Sequence, residues 1–177
     1  MSKPTLATVW LDGCSGCHMS ILDMDERLVE LSEHFELVYS PLVDYKEFPS
    51  QVDIALIEGS VSSDEDEHKI RTVRAHTRLL VSLGDCAVTG NVPSMRNPIP
   101  VAELLDSVYR QNGLLQKQVP TDRLPSLLSR VRPVHEVVNV DVFVPGCPPS
   151  ADTIFTVISE LLAGRIPDVA ALSRFGA

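Results

Sequence analysis

The sequence predicts an α/β fold: a three-layer domain around a parallel sheet of five strands. Two observations lead there. Short apolar, β-forming runs alternate along the chain with longer segments that carry an apolar helical stripe, a pattern that means parallel strands joined by right-handed crossovers. Every cysteine also falls just past the end of one of the runs, at the sheet edge where such folds hold their ligands.

The elements follow in order. Leu6 to Trp10 reads as the first buried strand, and a Gly-Cys loop leads from it into a helix whose stripe is Ile21, Leu22, Leu28, Val29 and Leu31. Phe35 to Tyr39 and Asp53 to Ile57 are the second and third strands. The run Ser62-Ser63-Asp64-Glu65-Asp66-Glu67 places an N-cap before an acidic first turn, which complements the helix dipole, and that helix runs to about His76. Leu79 to Leu83 is the fourth strand. Three prolines make residues 91–100 a loop, a helix is expected from Val101 to Gln111, and Leu124 to Val131 is read as a further helical turn or two. Asn139 to Val144 is the last strand. Ser150 caps a helix that carries Ile154, Phe155, Ile158, Leu161 and Leu162 and stops at Gly164. Five such strands suit a flavodoxin-like order.

Composition narrows the function. The chain has 177 residues and is 44% hydrophobic and 22% charged, enough for one domain with a core and too apolar for wholesale disorder. Its 15 Lys and Arg against 24 Asp and Glu give a net charge of −9, so a nucleic-acid partner is not expected. No stretch approaches the ~20 apolar residues of a membrane helix. The apolar start runs straight into Asp12-Gly13-Cys14 without a cleavage site, so no membrane association and a cytoplasmic location are expected. In that reducing compartment four cysteines point to metal ligation or redox chemistry.

Cys14 and Cys17 follow the first strand, Cys86 the fourth and Cys147 the fifth, so the fold gathers four thiols on one edge. Four thiolates satisfy a tetrahedral zinc or an iron–sulfur cluster. Only Cys14-Ser15-Gly16-Cys17 is a tight pair, while Cys86 and Cys147 arrive singly from distant loops, which suits a cluster better than a single ion. A thioredoxin-like redox pair, a structural zinc and unrelated core cysteines stand as the other readings.

These motifs resemble the small subunits of [NiFe] hydrogenases, and more narrowly the short small subunit of the cytoplasmic NAD-reducing, bidirectional type. The match lies in the segment 13–26 (GCSGCHMSILDMDE), in Glu58-Gly-Ser-Val61, in Gly84-Asp-Cys-Ala87 and in Pro145-Gly-Cys-Pro-Pro-Ser150. The resemblance implies a flavodoxin-like fold with one [4Fe–4S] cluster on Cys14, Cys17, Cys86 and Cys147. It places no catalytic residue in this chain. The Ni–Fe centre would belong to a hydrogenase large subunit, and FMN and NAD to diaphorase iron–sulfur and flavin subunits that receive the electrons. With no cysteine after Cys147, a single iron–sulfur domain over residues 1–177 is expected, without a C-terminal multi-cluster domain.

The departures are specific. Gly90-Asn91 replaces the usual glycine pair, and Asn tolerates left-handed backbone. Met19 stands where many relatives carry a glutamate, which removes a proton-relay candidate. The cluster subunit of respiratory complex I, a cousin and the alternative within this class, has adjacent cysteines in its first motif, whereas two residues separate Cys14 from Cys17. In other classes the alternatives are an FMN-binding flavodoxin-like module, disfavoured by thiolates where the phosphate would sit, and a zinc-stabilised scaffold.

Among the remaining residues, His18 is read as a helix-start residue bonded to backbone, with cluster tuning or proton passage as the other reading. Glu58 either bonds a ligand loop, lines a partner interface or caps a loop. The acidic run from Asp64 to Glu67 is a solvated first turn. His34, His68, His76 and His135 have no ligand spacing, and no hydrolase arrangement is present.

Overall fold

The computed structural model describes residues 3–113, 115 and 117–173; the ends of the expected 1–177 domain lie outside the described residues. The sheet contains β1 (Thr5–Trp10), β2 (Glu36–Tyr39), β3 (Val52–Glu58), β5 (Thr77–Leu83) and β7 (Val142–Val144), all parallel, in the order β2-β1-β3-β5-β7. This is the flavodoxin-like order expected from the sequence. Side chains alternate across it as the pleat requires: Ile54 and Leu56 of β3 enter one core, Ala55 and Ile57 the other. The first core packs beneath α1 (Gly16–Leu22), α2 (Glu26–Ser32) and α7 (Ala151–Leu162), and the second beneath α3 (Asp64–Ala75) and α4 (Asp85–Thr89).

The caps are local chemistry. Ser63 accepts the Asp66 amide and the Asp66 carboxylate accepts back from Ser63, a reciprocal capping box, and Ser150 accepts the Thr153 amide. The acidic turn is thus only partly solvated: Asp66 is buried, and its carboxylate also takes the Ser62 amide and hydroxyl.

Several expectations need correction. The helix read across Ile21 to Leu31 is two helices, because Met24 turns into the core and Asp25 takes φ 49°. The loop at 91–100 holds a helical turn, α5 (Asn91–Ser94); Pro93 sits within its first turn, where a missing N–H costs no bond. The helix from Val101 exists as α6 (Val101–Leu105), but it widens into a π-helical turn over Asp106–Gln111. The segment Leu124 to Val131 is not helical. Its second half forms β6 (Leu127–Arg132), antiparallel to a short β4 (Val61–Ser63), and the Asn97 side chain binds both the N–H and the C=O of Val131. The last strand is also shorter than expected. The Asp141 carboxylate takes the Leu80 N–H itself, so β7 begins only at Val142.

Candidate iron–sulfur site

The loops after β1, β5 and β7 meet at the carboxyl end of the sheet and bring the four cysteines with them. Cys14, Cys86 and Cys147 line a cavity of about 320 Å3 together with Asp12, Gly13, Val92 and Pro93. Cys17 lies deeper and is buried. Its sulfur occupies the space a side chain would take at Gly84, whose φ of +82° and missing Cβ are therefore both required. Ser15, in left-handed conformation at φ 65°, turns the chain between Cys14 and α1.

Four tethers hold these loops in register. Ser20 on α1 donates to the Pro149 carbonyl at 2.6 Å. Asp85 and Gly146 exchange two bonds, which join the Cys86 loop to the Cys147 loop. Asn91 donates to the Cys147 sulfur at 3.4 Å. Glu58, at the end of β3, accepts the amides of Cys17 and His18 at 3.3 and 2.9 Å, so it serves as the cap of α1.

Glu58 therefore binds the start of α1 at Cys17 and does not line an outer surface; it is 2% exposed. The His18 ring bonds side chains, not backbone. Its Nδ1 meets the Glu58 carboxylate, and its Nε2 stands 3.0 Å from Thr8 Oγ1, which in turn donates to Ser40 Oγ at 2.8 Å. This buried chain joins the cysteine loop to the sheet strands, and none of Glu58, His18, Thr8 and Ser40 is among the residues lining the thiol cavity.

The surroundings of Cys17 and Cys86 favour the neutral thiol over the thiolate. Burial pushes the Cys17 thiol up, and the neighbouring Glu58 carboxylate and the other three thiols push it further. Cys86 is raised to about 11 by burial, then by Cys14 and Cys147, with a Val92 N–H bond acting in the other direction. Thiolates are metal ligands, so a metal must displace these protons. Among the described residues no three His, Cys, Asp or Glu side chains gather closely enough to hold one ion. Around the edge Met19, Val92 and Met95 are exposed, whereas Leu11, just past the end of β1, is buried in the core.

Residues 14–161 match the family described as NADH ubiquinone oxidoreductase, 20 Kd subunit. The chain belongs to this family. It is 41% identical over 168 residues to the NAD-reducing hydrogenase HoxS subunit delta of Cupriavidus necator, covering 92% of this chain and 80% of that protein. It is 37% identical over 161 residues to a vhu subunit of the F420-non-reducing hydrogenase of Methanocaldococcus jannaschii, covering 90% of this chain and 56% of that relative. The chain thus spans little more than half of the Methanocaldococcus protein. A chain of an NAD+-reducing [NiFe]-hydrogenase, solved in the H2-reduced state, superimposes with a TM-score of 0.91 at 42% identity, covering 98% of this chain and 99% of that one. The resemblance to small subunits of NAD-reducing [NiFe] hydrogenases is borne out, and the fold with it.

Sequence reasoning finds the four cysteines and the loops that carry them. It misses the tethers at Asp85, Ser20 and Asn91. Asp85 stands beside Cys86 in the motif Gly84-Asp-Cys-Ala87, but its partner lies in another loop, and adjacency alone does not reveal it.

Proposed function

We propose that this chain is the electron-relay small subunit of a cytoplasmic NAD-reducing [NiFe] hydrogenase, with one [4Fe–4S] cluster held by Cys14, Cys17, Cys86 and Cys147. The observation that carries the reading is the arrival of four thiols from three loops at one end of a sheet that follows an NAD+-reducing [NiFe]-hydrogenase chain over nearly its whole length. The donor set fits such a group. It is all sulfur, three of its four members line an open cavity, and the backbone at Gly84 makes room for the innermost one, Cys17. When bound, the cluster supplies one-electron transfer at a potential set by burial and by hydrogen bonds to its sulfurs.

The chain's own residues hold the ligands, donate to the sulfurs and offer a partly apolar rim to a partner. No acid or base of this chain lines the cavity beyond Asp12 among the described residues, and neither member of the buried His18–Glu58 pair is part of that lining. Hydrogen cleavage accordingly belongs to a Ni–Fe centre on a large subunit. FMN and NAD belong to diaphorase iron–sulfur and flavin subunits, and the net reaction is H2 + NAD+ to NADH + H+.

Cys147→Ala in the assembled complex separates wiring from catalysis. Hydrogen-driven NAD reduction is expected to fall far more than hydrogen–deuterium exchange, which needs only the Ni–Fe site. Equal loss of both activities, with the large subunit intact and assembled, contradicts the reading.

A further inference from the structure

One turn, Gly90 to Val92, faces two of the four sulfurs. Gly90 has φ 85° and Asn91 follows at φ 29°, so two successive residues lie in the left-handed region. Asparagine reaches that region more readily than most side chains, but glycine fits it without strain. A side chain retained at such a position calls for a reason beyond the turn itself. Here the side chain touches a ligand: Asn91 Nδ2 donates to Cys147 Sγ at 3.4 Å. The next residue's backbone N–H bonds the Cys86 thiol. A single turn therefore delivers donors to sulfurs from two different loops.

The turn is itself held. Gly90 N–H closes on the Cys86 carbonyl at 3.0 Å, and the Ser94 hydroxyl donates to the Asn91 carbonyl at 2.7 Å. These two bonds hold the backbone from which the Asn91 side-chain amide reaches the sulfur. Only the Nδ2 end of the amide can donate to a sulfur, which has lone pairs and, as a ligand, no proton. Reduction adds negative charge to a cluster and its thiolates, so a donor to sulfur stabilises the reduced form more than the oxidised form.

We propose that Asn91 is a positioning residue that raises the reduction potential of the cluster by donating its side-chain amide to Cys147. The inference rests on the four-cysteine cluster reading above.

The test is a potentiometric titration of the cluster, followed by electron paramagnetic resonance, in the assembled complex with wild-type chain, Asn91→Gly and Asn91→Asp. Glycine keeps the backbone and removes the donor; aspartate keeps the shape, removes the donor and adds charge. The midpoint is expected to fall in the order Asn, Gly, Asp. For the glycine variant the shift is about tenfold in the ratio of reduced to oxidised cluster at fixed poise, or about 59 mV for a one-electron couple. An unchanged midpoint in Asn91→Gly with the cluster spectrum intact overturns the proposal, even if Asn91→Asp is lowered, because charge alone then accounts for the effect. Loss of the cluster in both variants overturns it too, since Asn91 is then a structural support only. A wild-type complex with no signal from this chain's cluster overturns the cluster reading instead.

Discussion

Asp85 and Gly146 face each other across the mouth of the cysteine site and exchange two hydrogen bonds. The Asp85 amide donates to the Gly146 carbonyl at 2.8 Å, and the Gly146 amide donates to Asp85 Oδ1 at 2.7 Å. Each residue directly precedes a cysteine, Cys86 and Cys147, so the pair sets the spacing of two cysteine loops that are remote in sequence.

Asp85→Ala removes the carboxylate and leaves the half-buried Gly146 N–H without its acceptor. The expected cost is about 2 kcal/mol, the range for a bond to a charged group. That corresponds to about 4–8 °C in Tm for a chain of this size. Asp85→Asn keeps an acceptor oxygen and is expected to recover most of the loss. Thermal unfolding of the three proteins is the check, and an alanine variant as stable as wild type removes the clamp from the account.

Glu58 satisfies two amides and an imidazole from one buried position. Glu58→Ala strips all three of their partner, and each buried donor left unsatisfied costs about 1–3 kcal/mol. Thr8→Val removes only the hydroxyl between His18 and Ser40, with an expected loss of about 1–2 kcal/mol. Denaturant titration ranks the two. Equal costs would mean that Glu58 is not the anchor of α1.

Asp53 gives the pH dependence. Its carboxylate accepts the Thr5 N–H, which lowers its pKa most, and the Thr5 hydroxyl and Arg78 add to the effect. A carboxylate lowered on folding contributes stability that is present above its unfolded value and is lost as pH falls through the folded one. Asp53→Asn is therefore destabilising near neutral pH, and the difference from wild type shrinks below about pH 4. The side chain is 37% exposed, so solvent screening holds the whole effect below about 1 kcal/mol. Melting curves of both proteins at pH 7 and pH 3 test this; a difference that grows on acidification has the wrong sign.

Features written in neighbouring residues are legible from the sequence. The caps at Ser63 and Ser150 depend on residues three positions away, and β3 and β5 announce themselves as buried apolar runs. The strand β6 is not legible. Only Val131 of its six residues is buried, and its strand character comes from β4 and Asn97, both far away in sequence. The break at Asp25 is hidden for the same reason, because the core position of Met24 is a tertiary fact. At the site the cysteine positions follow from strand order, which local patterns reveal. The bonds from Glu58, Asp85 and Asn91 join separate loops and leave no local trace.

The central claim is one [4Fe–4S] cluster on Cys14, Cys17, Cys86 and Cys147. Iron, acid-labile sulfide and zinc analysis of the anaerobically purified chain, beside a Cys86→Ser variant, tests it most directly. The account predicts about four iron and four sulfide per wild-type chain with broad visible absorption, and lower occupancy in the variant. Stoichiometric zinc with neither iron nor sulfide contradicts it.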